Sequence, residues 1–183
     1  MEQNPLEALP PREISLEELL AAREARAAYQ QELMKRYPGA SLVCLTVNAP
    51  GPVKRTPLAC RVFAAGMAEV ERGLAQAGLA VVGARRRMED TGGQGYFLVE
   101  AAGETVKRIL CKLEEDLPYG RLLDLDVHTP AGQISRTRVG HSPRGCMVCG
   151  KPGPDCASRR LHPLPEVLAA FEALAILAPE EEE

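Results

Sequence analysis

From Leu123 to His128 the chain alternates apolar and polar residues without a break: Leu123, Asp124, Leu125, Asp126, Val127, His128. Period-two alternation marks a β-strand with one face on a core, because successive side chains point to opposite sides of a sheet. Leu123, Leu125 and Val127 must then be covered by an apolar layer. Asp124 and Asp126 share the other face, about 7 Å apart along the strand. A fold that satisfies this segment needs a sheet with one face packed and one face able to carry charge.

The remaining patterns place helices and further strands around it. Ser15 and Glu18 form a capping-box start, and Leu16, Leu19, Leu20, Ala27 and Leu33 then line one helical stripe that ends before Pro38-Gly39. Ser41 to Asn48 is apolar and β-branched, hence a buried strand. Residues 48–57 are too rich in Pro and Gly to be anything but a loop. Residues 58–77 are helical, with Val62, Phe63, Met67, Val70 and Leu74 on one side and Gly78 as the stop. Strands are expected at 79–87 and 95–101, with Thr91 to Gly95 turning between them, followed by a helix over 104–116. The strand at 121–129 turns at Pro130-Ala131-Gly132 into a second strand around Gln133 to Val139. Residues 140–162 show no apolar periodicity, and a last helix spans 164–177. The order α-β-α-β-β-α-β-β-α contains hairpins, which predicts an α+β fold with a mixed β-sheet and flanking helices. At 183 residues one domain is expected, covering 15–178, with 1–14 a flexible leader and 179–183 an acidic tail.

Composition excludes some function classes. The net charge is −3, but Glu180 to Glu183 supply four of the 25 acids against 22 Lys and Arg, so the rest of the chain is close to neutral. Neither that balance nor three Phe, four Tyr and no Trp suits a nucleic-acid partner bound through a basic surface or through base stacking. The acidic, proline-broken N-terminus lacks the features of a signal peptide. Nothing approaches the ~18 consecutive apolar residues of a membrane span. A cytoplasmic, reduced protein without a membrane partner is expected, where clustered cysteines serve more often as metal ligands or reactive thiols than as crosslinks.

Three segments can carry chemistry. Two carboxylates on one strand face repel each other and are better tolerated around a cation. Mg²⁺ typically takes one or two carboxylates plus substrate phosphates, so Asp124 and Asp126 are candidate ligands; the plain alternative is a solvated acidic face. Arg121 precedes the pair, Arg136 and Arg138 are expected on the partner strand, and Arg144 and Lys151 follow with His128 and His141 nearby. Such a basic stretch suits polyphosphate, since Arg binds phosphate bidentately and stays charged; the alternative is a solvent loop with no ligand. Cys146-x2-Cys149-x6-Cys156-x5-His162 offers three thiols and an imidazole, the donor set of a closed structural zinc site. A redox Cys-x-x-Cys pair and space-filling thiols remain open. Cys44, Cys60 and Cys111 fall on apolar faces and read as core residues. The loop Asn48 to Lys54 reads as a structural turn that ends in a lysine.

Taken together, the first helix with Arg23, Arg26 and Gln30, then NAPGPVK, the TGG turn, YGRLLDLDV, ISRTRVG and RGCMVCGKPGPDCASRRLHP resemble one family. It is the citrate lyase holo-acyl-carrier-protein synthase, or apo-citrate lyase phosphoribosyl-dephospho-CoA transferase, and the likeness runs from about residue 15 to about 175. The resemblance implies transfer of a prosthetic group from triphosphoribosyl-dephospho-CoA to a serine of the acyl-carrier subunit of citrate lyase, with diphosphate leaving. It implies Asp124 and Asp126 as catalytic Mg²⁺ ligands and Arg121, Arg136, Arg144, Lys54 and Arg160 as phosphate-binding residues. The basic segment 136–160 would dock an acidic carrier. The Asp-x-Asp strand also resembles that of nucleotidyltransferases, which implies a nucleotidyltransferase-like fold. The chain departs from that pattern: Gly120-Arg121 lies too close to the acids to serve as the upstream Gly-Ser pair, and the next strand has no third carboxylate. Ser158 stands where the family has Arg, whereas Arg160 and His162 match. The alternatives are another nucleotidyltransferase with a different acceptor, or a zinc-stabilised module that binds protein or nucleic acid.

Overall fold

A computed structural model describes residues 10–180. The strands are β1 (Ser41–Val47), β2 (Val81–Glu89), β3 (Gly92–Val99), β4 (Leu123–Thr129) and β5 (Gly132–Ile134). They form a single sheet in the order β2-β3-β1-β4-β5. The α+β class holds, but the sheet is not mixed: all four pairings are antiparallel. The reason lies in the connections. β1 leads through α2 (Pro57–Gln76) to β2, and β3 leads through α3 (Gly103–Asp116) to β4. Each crossover joins two strands that run parallel, yet the other unit's strand is inserted between them. This β-α-β-β-α-β order with split crossovers is the ferredoxin-like arrangement.

Both crossover helices lie on one face. Val43, Leu45, Phe97, Val99, Leu123, Leu125 and Val127 form the main core with Val62, Phe63, Val70 and Leu74 of α2 and Val106, Leu110 and Cys111 of α3. Phe171 and Ala175 of α5 (Leu164–Ala175) complete it. Thr56 caps α2 by accepting from the Ala59 amide, and Pro57 pre-sets its first turn. Thr91 to Gly95, expected as a turn, belongs mostly to β3; the chain reverses at Asp90-Thr91. Glycine serves here to admit α2. A Cβ on Gly93 would stand 2.5 Å from Phe63, and one on Gly95 would overlap Met67.

The opposite face carries Leu42, Cys44, Tyr96 and Leu98, which pack against Tyr29, Leu33 and Met34 of α1 (Leu16–Arg36). The stripe read in this helix reaches that cluster at Leu33 but not at its first turns. Leu16 is 71% and Leu20 48% exposed, and no α1 residue is buried. Physically, the part of the sheet below the first half of α1 is polar, with Thr46 opposite Asp124 and Cys44 opposite Asp126. The helix is instead tied down at its ends. Ser15 and Glu18 make the reciprocal capping box. Arg12 bridges Glu18 at 2.7 Å and Asp90 at 2.8 Å, and Arg55 holds the other oxygen of Asp90 at 2.9 Å. Residues 10–14, assigned above to a leader, are therefore held: Ile14 is buried and donates its amide to Pro52. Residues 1–9 of that leader and 181–183 of the acidic tail lie outside the described residues, while Glu180 pairs with Arg61.

The second strand of the last hairpin is only three residues long. Arg136 and Arg138 consequently leave the sheet and sit at a 3-10 turn over 137–139. Beyond it, α4 (Gly153–Arg159) is a short helix in a stretch where the sequence shows no periodicity.

Candidate active site and metal centre

The antiparallel register puts the Asp-x-Asp pair on a central strand, on the face away from α2 and α3. Asp124 accepts at Oδ1 from Arg144, whose other nitrogen donates to the Leu123 carbonyl at 2.7 Å. Asp126 accepts at Oδ1 from Gln133 at 2.8 Å. Among the described residues no hydrogen bond reaches Oδ2 of either aspartate, so one oxygen on each is free to ligate. Burial, and then the charge of Asp124, push the Asp126 carboxyl above the ordinary carboxylate range, against the pull of Lys107. Lys107 is itself buried and donates to the Leu125 carbonyl at 2.5 Å. His128 follows on the same strand; burial pushes its pKa down and its Nε2 has no hydrogen-bond partner.

A buried carboxylate organises the arginines behind the pair. Glu114 on α3 accepts from the Leu125 amide at 3.2 Å and from Arg136, and lies 3.7 Å from Arg144. Arg136 also holds Glu115 at 2.7 Å and the Ser142 carbonyl at 2.9 Å, so its guanidinium is spent on protein partners. His141 joins Glu115 at 2.9 Å, and Arg138 pairs with Glu104 at 2.6 Å. Arg121 donates to the Gly145 carbonyl.

Asp124 stands at a junction. On one side lies a cavity of about 170 Å³ bounded by Arg23, Arg26, Lys54, Asn48, Thr91 and the Gly92-Gly93 backbone. On the other lies a groove walled by Arg121, Ser135, Arg136, Arg144 and Pro154, again with Asn48. From Asn48 and Arg121 the surface continues into an apolar cleft of about 370 Å³ lined by Met147, Val148, Leu164, Val167 and Arg160. Arg23 and Arg26 were not singled out as phosphate ligands from the sequence, because the leucines around them suggested a helix packed on apolar surface.

The Cys/His motif closes on itself. One ligand atom from each of Cys146, Cys149, Cys156 and His162 lies within 4.8 Å of the others, a geometry that can hold a metal ion. Cys146 and Cys149 sit in a tight turn. The Cys146 amide donates to the Lys151 carbonyl at 2.6 Å, the Gly150 amide returns to Cys146 at 2.9 Å, and Gly150 takes φ +71°. Cys156 comes from α4, and His162 just precedes α5. Desolvation pushes the Cys146 thiol up, but the amides of Cys149 and Val148 outweigh it and draw it down to about 7. Of the cysteines read as core, Cys44 and Cys111 are buried, whereas Cys60 is partly exposed and borders the Arg23 cavity.

Residues 14–176 match the family model described as apo-citrate lyase phosphoribosyl-dephospho-CoA transferase. The chain belongs to this family. A "Probable apo-citrate lyase phosphoribosyl-dephospho-CoA transferase" of Streptococcus pyogenes is 36% identical over 165 residues, covering 88% of this chain and 85% of that protein. The "Apo-citrate lyase phosphoribosyl-dephospho-CoA transferase" of Escherichia coli is 35% identical over 162 residues, 88% of each. "Protein CitXG" of Haemophilus influenzae is 38% identical over 163 residues, and this chain spans only 35% of its length. The matched span of the apo-citrate lyase phosphoribosyl-dephospho-CoA transferase family takes in every site residue described here, from Arg23 on α1 to His162. No helix among the described residues is long and apolar enough to cross a membrane.

Proposed function

We propose that this chain transfers the phosphoribosyl-dephospho-CoA group of triphosphoribosyl-dephospho-CoA to a serine on the acyl-carrier subunit of citrate lyase. The observation that carries the reading is Asp124, set where a cation-lined cavity meets an arginine-walled groove in a chain of this family, with Asp126 two residues along the same strand face. The serine Oγ forms a bond to the α-phosphorus, the bridging P–O bond to the β-phosphate breaks, and its electron pair leaves on diphosphate. The hydroxyl proton passes to a carboxylate. Asp124 and Asp126, each with a carboxylate oxygen free of protein partners, would hold a Mg²⁺ ion, which would neutralise phosphate charge. Lys54 borders the cavity on one side of Asp124 and Arg121 the groove on the other, Arg144 sits on Asp124 itself, and Arg160 lies further along the cleft. The likeness to nucleotidyltransferases rests on the Asp-x-Asp strand and on this chemistry.

The Cys/His cluster suits zinc. On a tetrahedral zinc with bonds of about 2.3 Å, sulfurs stand roughly 3.8 Å apart, and Cys149 and Cys156 Sγ are 3.6 Å apart. Nε2 of His162 is buried without a partner, and Nδ1 faces Glu166 at 3.7 Å, the carboxylate backing typical of a ligating imidazole. Four protein donors close such a site, so its role is structural: it fixes the wall that carries Arg160. Lys151, Arg159 and Arg160 are exposed there and form no ion pair among the described residues, which suits an acidic carrier.

Mass spectrometry of apo-carrier incubated with the donor, Mg²⁺ and the protein tests the reading. The expected product carries the donor minus diphosphate on one serine, and Asp124→Ala or Asp126→Ala lowers its rate about a thousandfold. An unmodified carrier refutes it.

A further inference from the structure

The cations of the site fall into two classes. Those near the acids in space are engaged: Arg144 by Asp124 and Glu114, Arg136 by Glu114 and Glu115, Arg138 by Glu104. Arg23 and Arg26 on α1 have no carboxylate within ion-pair distance among the described residues, although they border the same cavity as Asp124. Lys54 enters that cavity from the Pro/Gly loop and, among the described residues, donates only to the Ala49 carbonyl, at 2.6 Å. Burial and the nearby positive charge of Arg23 both push its pKa down. Three cations thus border a cavity whose one lining carboxylate, Asp124, Arg144 already neutralises. Such an excess is unfavourable unless an anion is taken up. Gly92 and Gly93 present bare backbone at the cavity wall; a Cβ on Gly92 would face Lys54 at 3.9 Å, whereas one on Gly93 would point into Phe63.

We propose that Arg23, Arg26 and Lys54 bind the β- and γ-phosphates of the donor and hold the diphosphate as it leaves, with α1 acting as a strap across the sheet's polar face. This rests on the transferase reading and adds to it a location for the leaving group and two further substrate-binding residues. The strap is anchored on both sides of the arginines, by Arg12, Glu18 and Asp90 at its start and by Tyr29, Leu33 and Met34 further along. Its charged middle is left free to meet phosphate. Arg87 stacks 4.1 Å from the Tyr29 ring and steadies the second anchor. The groove on the far side of Asp124 is left for the nucleotide body and the incoming serine.

The test uses the full-length protein and inorganic tripolyphosphate, whose binding does not depend on the donor or carrier. Isothermal titration calorimetry in Mg²⁺ is expected to show saturable binding that Arg23→Gln and Arg26→Gln each weaken about tenfold or more. Lysine at either position restores part of it. Arg36→Gln, on the same helix but outside the cavity, changes nothing. In the carrier assay the same glutamine variants raise the donor KM and the inhibition constant of diphosphate in parallel. Because α1 buries no residue, these exchanges leave thermal unfolding unchanged, which circular dichroism verifies. No tripolyphosphate binding by the unmodified protein, or equal binding by the glutamine variants, overturns the assignment. Arginine-dependent tripolyphosphate binding with no carrier modification upholds the phosphate site and removes the transferase reading instead.

Discussion

Replacing Asp126 by Asn separates a metal-binding carboxylate from a structural one. The two aspartates alternate along β4, about 7 Å apart. At that distance and an effective dielectric of ~20, their repulsion is about 2 kcal/mol. Arg144 neutralises part of Asp124, and Lys107 attracts Asp126, so the net penalty is smaller, about 1 kcal/mol. Asn keeps the shape and can still accept from Gln133, so little else is lost. In buffer without divalent ions the variant is expected to be more stable by that amount, a rise in Tm of about 2–4 °C for a chain of this size. The sign with pH follows from the raised carboxyl. A group whose folded pKa lies above its unfolded value destabilises the fold once ionised, so the advantage of Asn is full at neutral pH. It disappears as the pH falls through the raised pKa towards the ordinary carboxylate value. Adding Mg²⁺ at about ten times its Kd stabilises the unsubstituted protein by about 1.4 kcal/mol and closes the gap, if the variant has lost the ion. Urea unfolding at several pH values, with and without Mg²⁺, measures all of this. A variant less stable than the parent at neutral pH without Mg²⁺ refutes the reasoning, because Asp126 would then be held by Lys107 as a structural ion pair. Equal stabilisation of both proteins by Mg²⁺ removes the metal-ligand role.

Three further outcomes follow from the geometry. Arg136→Gln strips the buried Glu114 carboxylate of a charged partner; it is expected to cost about 3 kcal/mol in urea unfolding and to leave the donor KM unchanged, whereas a raised KM would return Arg136 to the phosphates. Purified protein should carry one zinc per chain by elemental analysis, and its chelation should speed amide exchange over 145–162 while the sheet stays protected. Occupancy below about 0.2 per chain would leave a thiol-filled turn as the better account. Gly93→Ala drives a methyl into Phe63 and should cost about 2 kcal/mol, with part recovered by Phe63→Leu in the same chain; a neutral Gly93→Ala would mean that the glycine does not set the approach of α2.

The Asp-x-Asp strand and the Cys/His cluster were legible because each depends on short-range spacing. A period of two puts Asp124 and Asp126 on one face whatever the rest of the chain does, and a Cys-x-x-Cys turn needs only Cys156 and His162 to fold back on it. Strand direction was not legible. Whether β1 and β2 pair depends on where β3 inserts, and nothing local to any of the three strands records that. Glycine was ambiguous for a related reason. Gly92 to Gly95 read as a turn by local chemistry, yet Gly93 and Gly95 are required by Phe63 and Met67, some thirty residues earlier in the chain.

Charge was the least legible property. The sequence gathers Arg136, Arg138 and Arg144 after the aspartates and makes that stretch look like the phosphate site. In the fold each of the three meets an acid at least twenty residues away in the chain: Glu114 and Glu115, Glu104, and Asp124. A linear count of charge treats an engaged arginine and a free one alike, although only the free one gains a new partner when phosphate arrives. Arg23 and Arg26 lie among acids in sequence, next to Glu24 and following Glu17 and Glu18, so the same count makes them unremarkable. Their freedom is created by α1 crossing a sheet face where Asp124 is already taken by Arg144 and Asp126 is held by Gln133. Phosphate recognition in a near-neutral chain is therefore decided by which unpaired cations the fold brings to one cavity, and those that border the Asp124 cavity, Arg23, Arg26 and Lys54, lie well before the stretch where positive charge is densest.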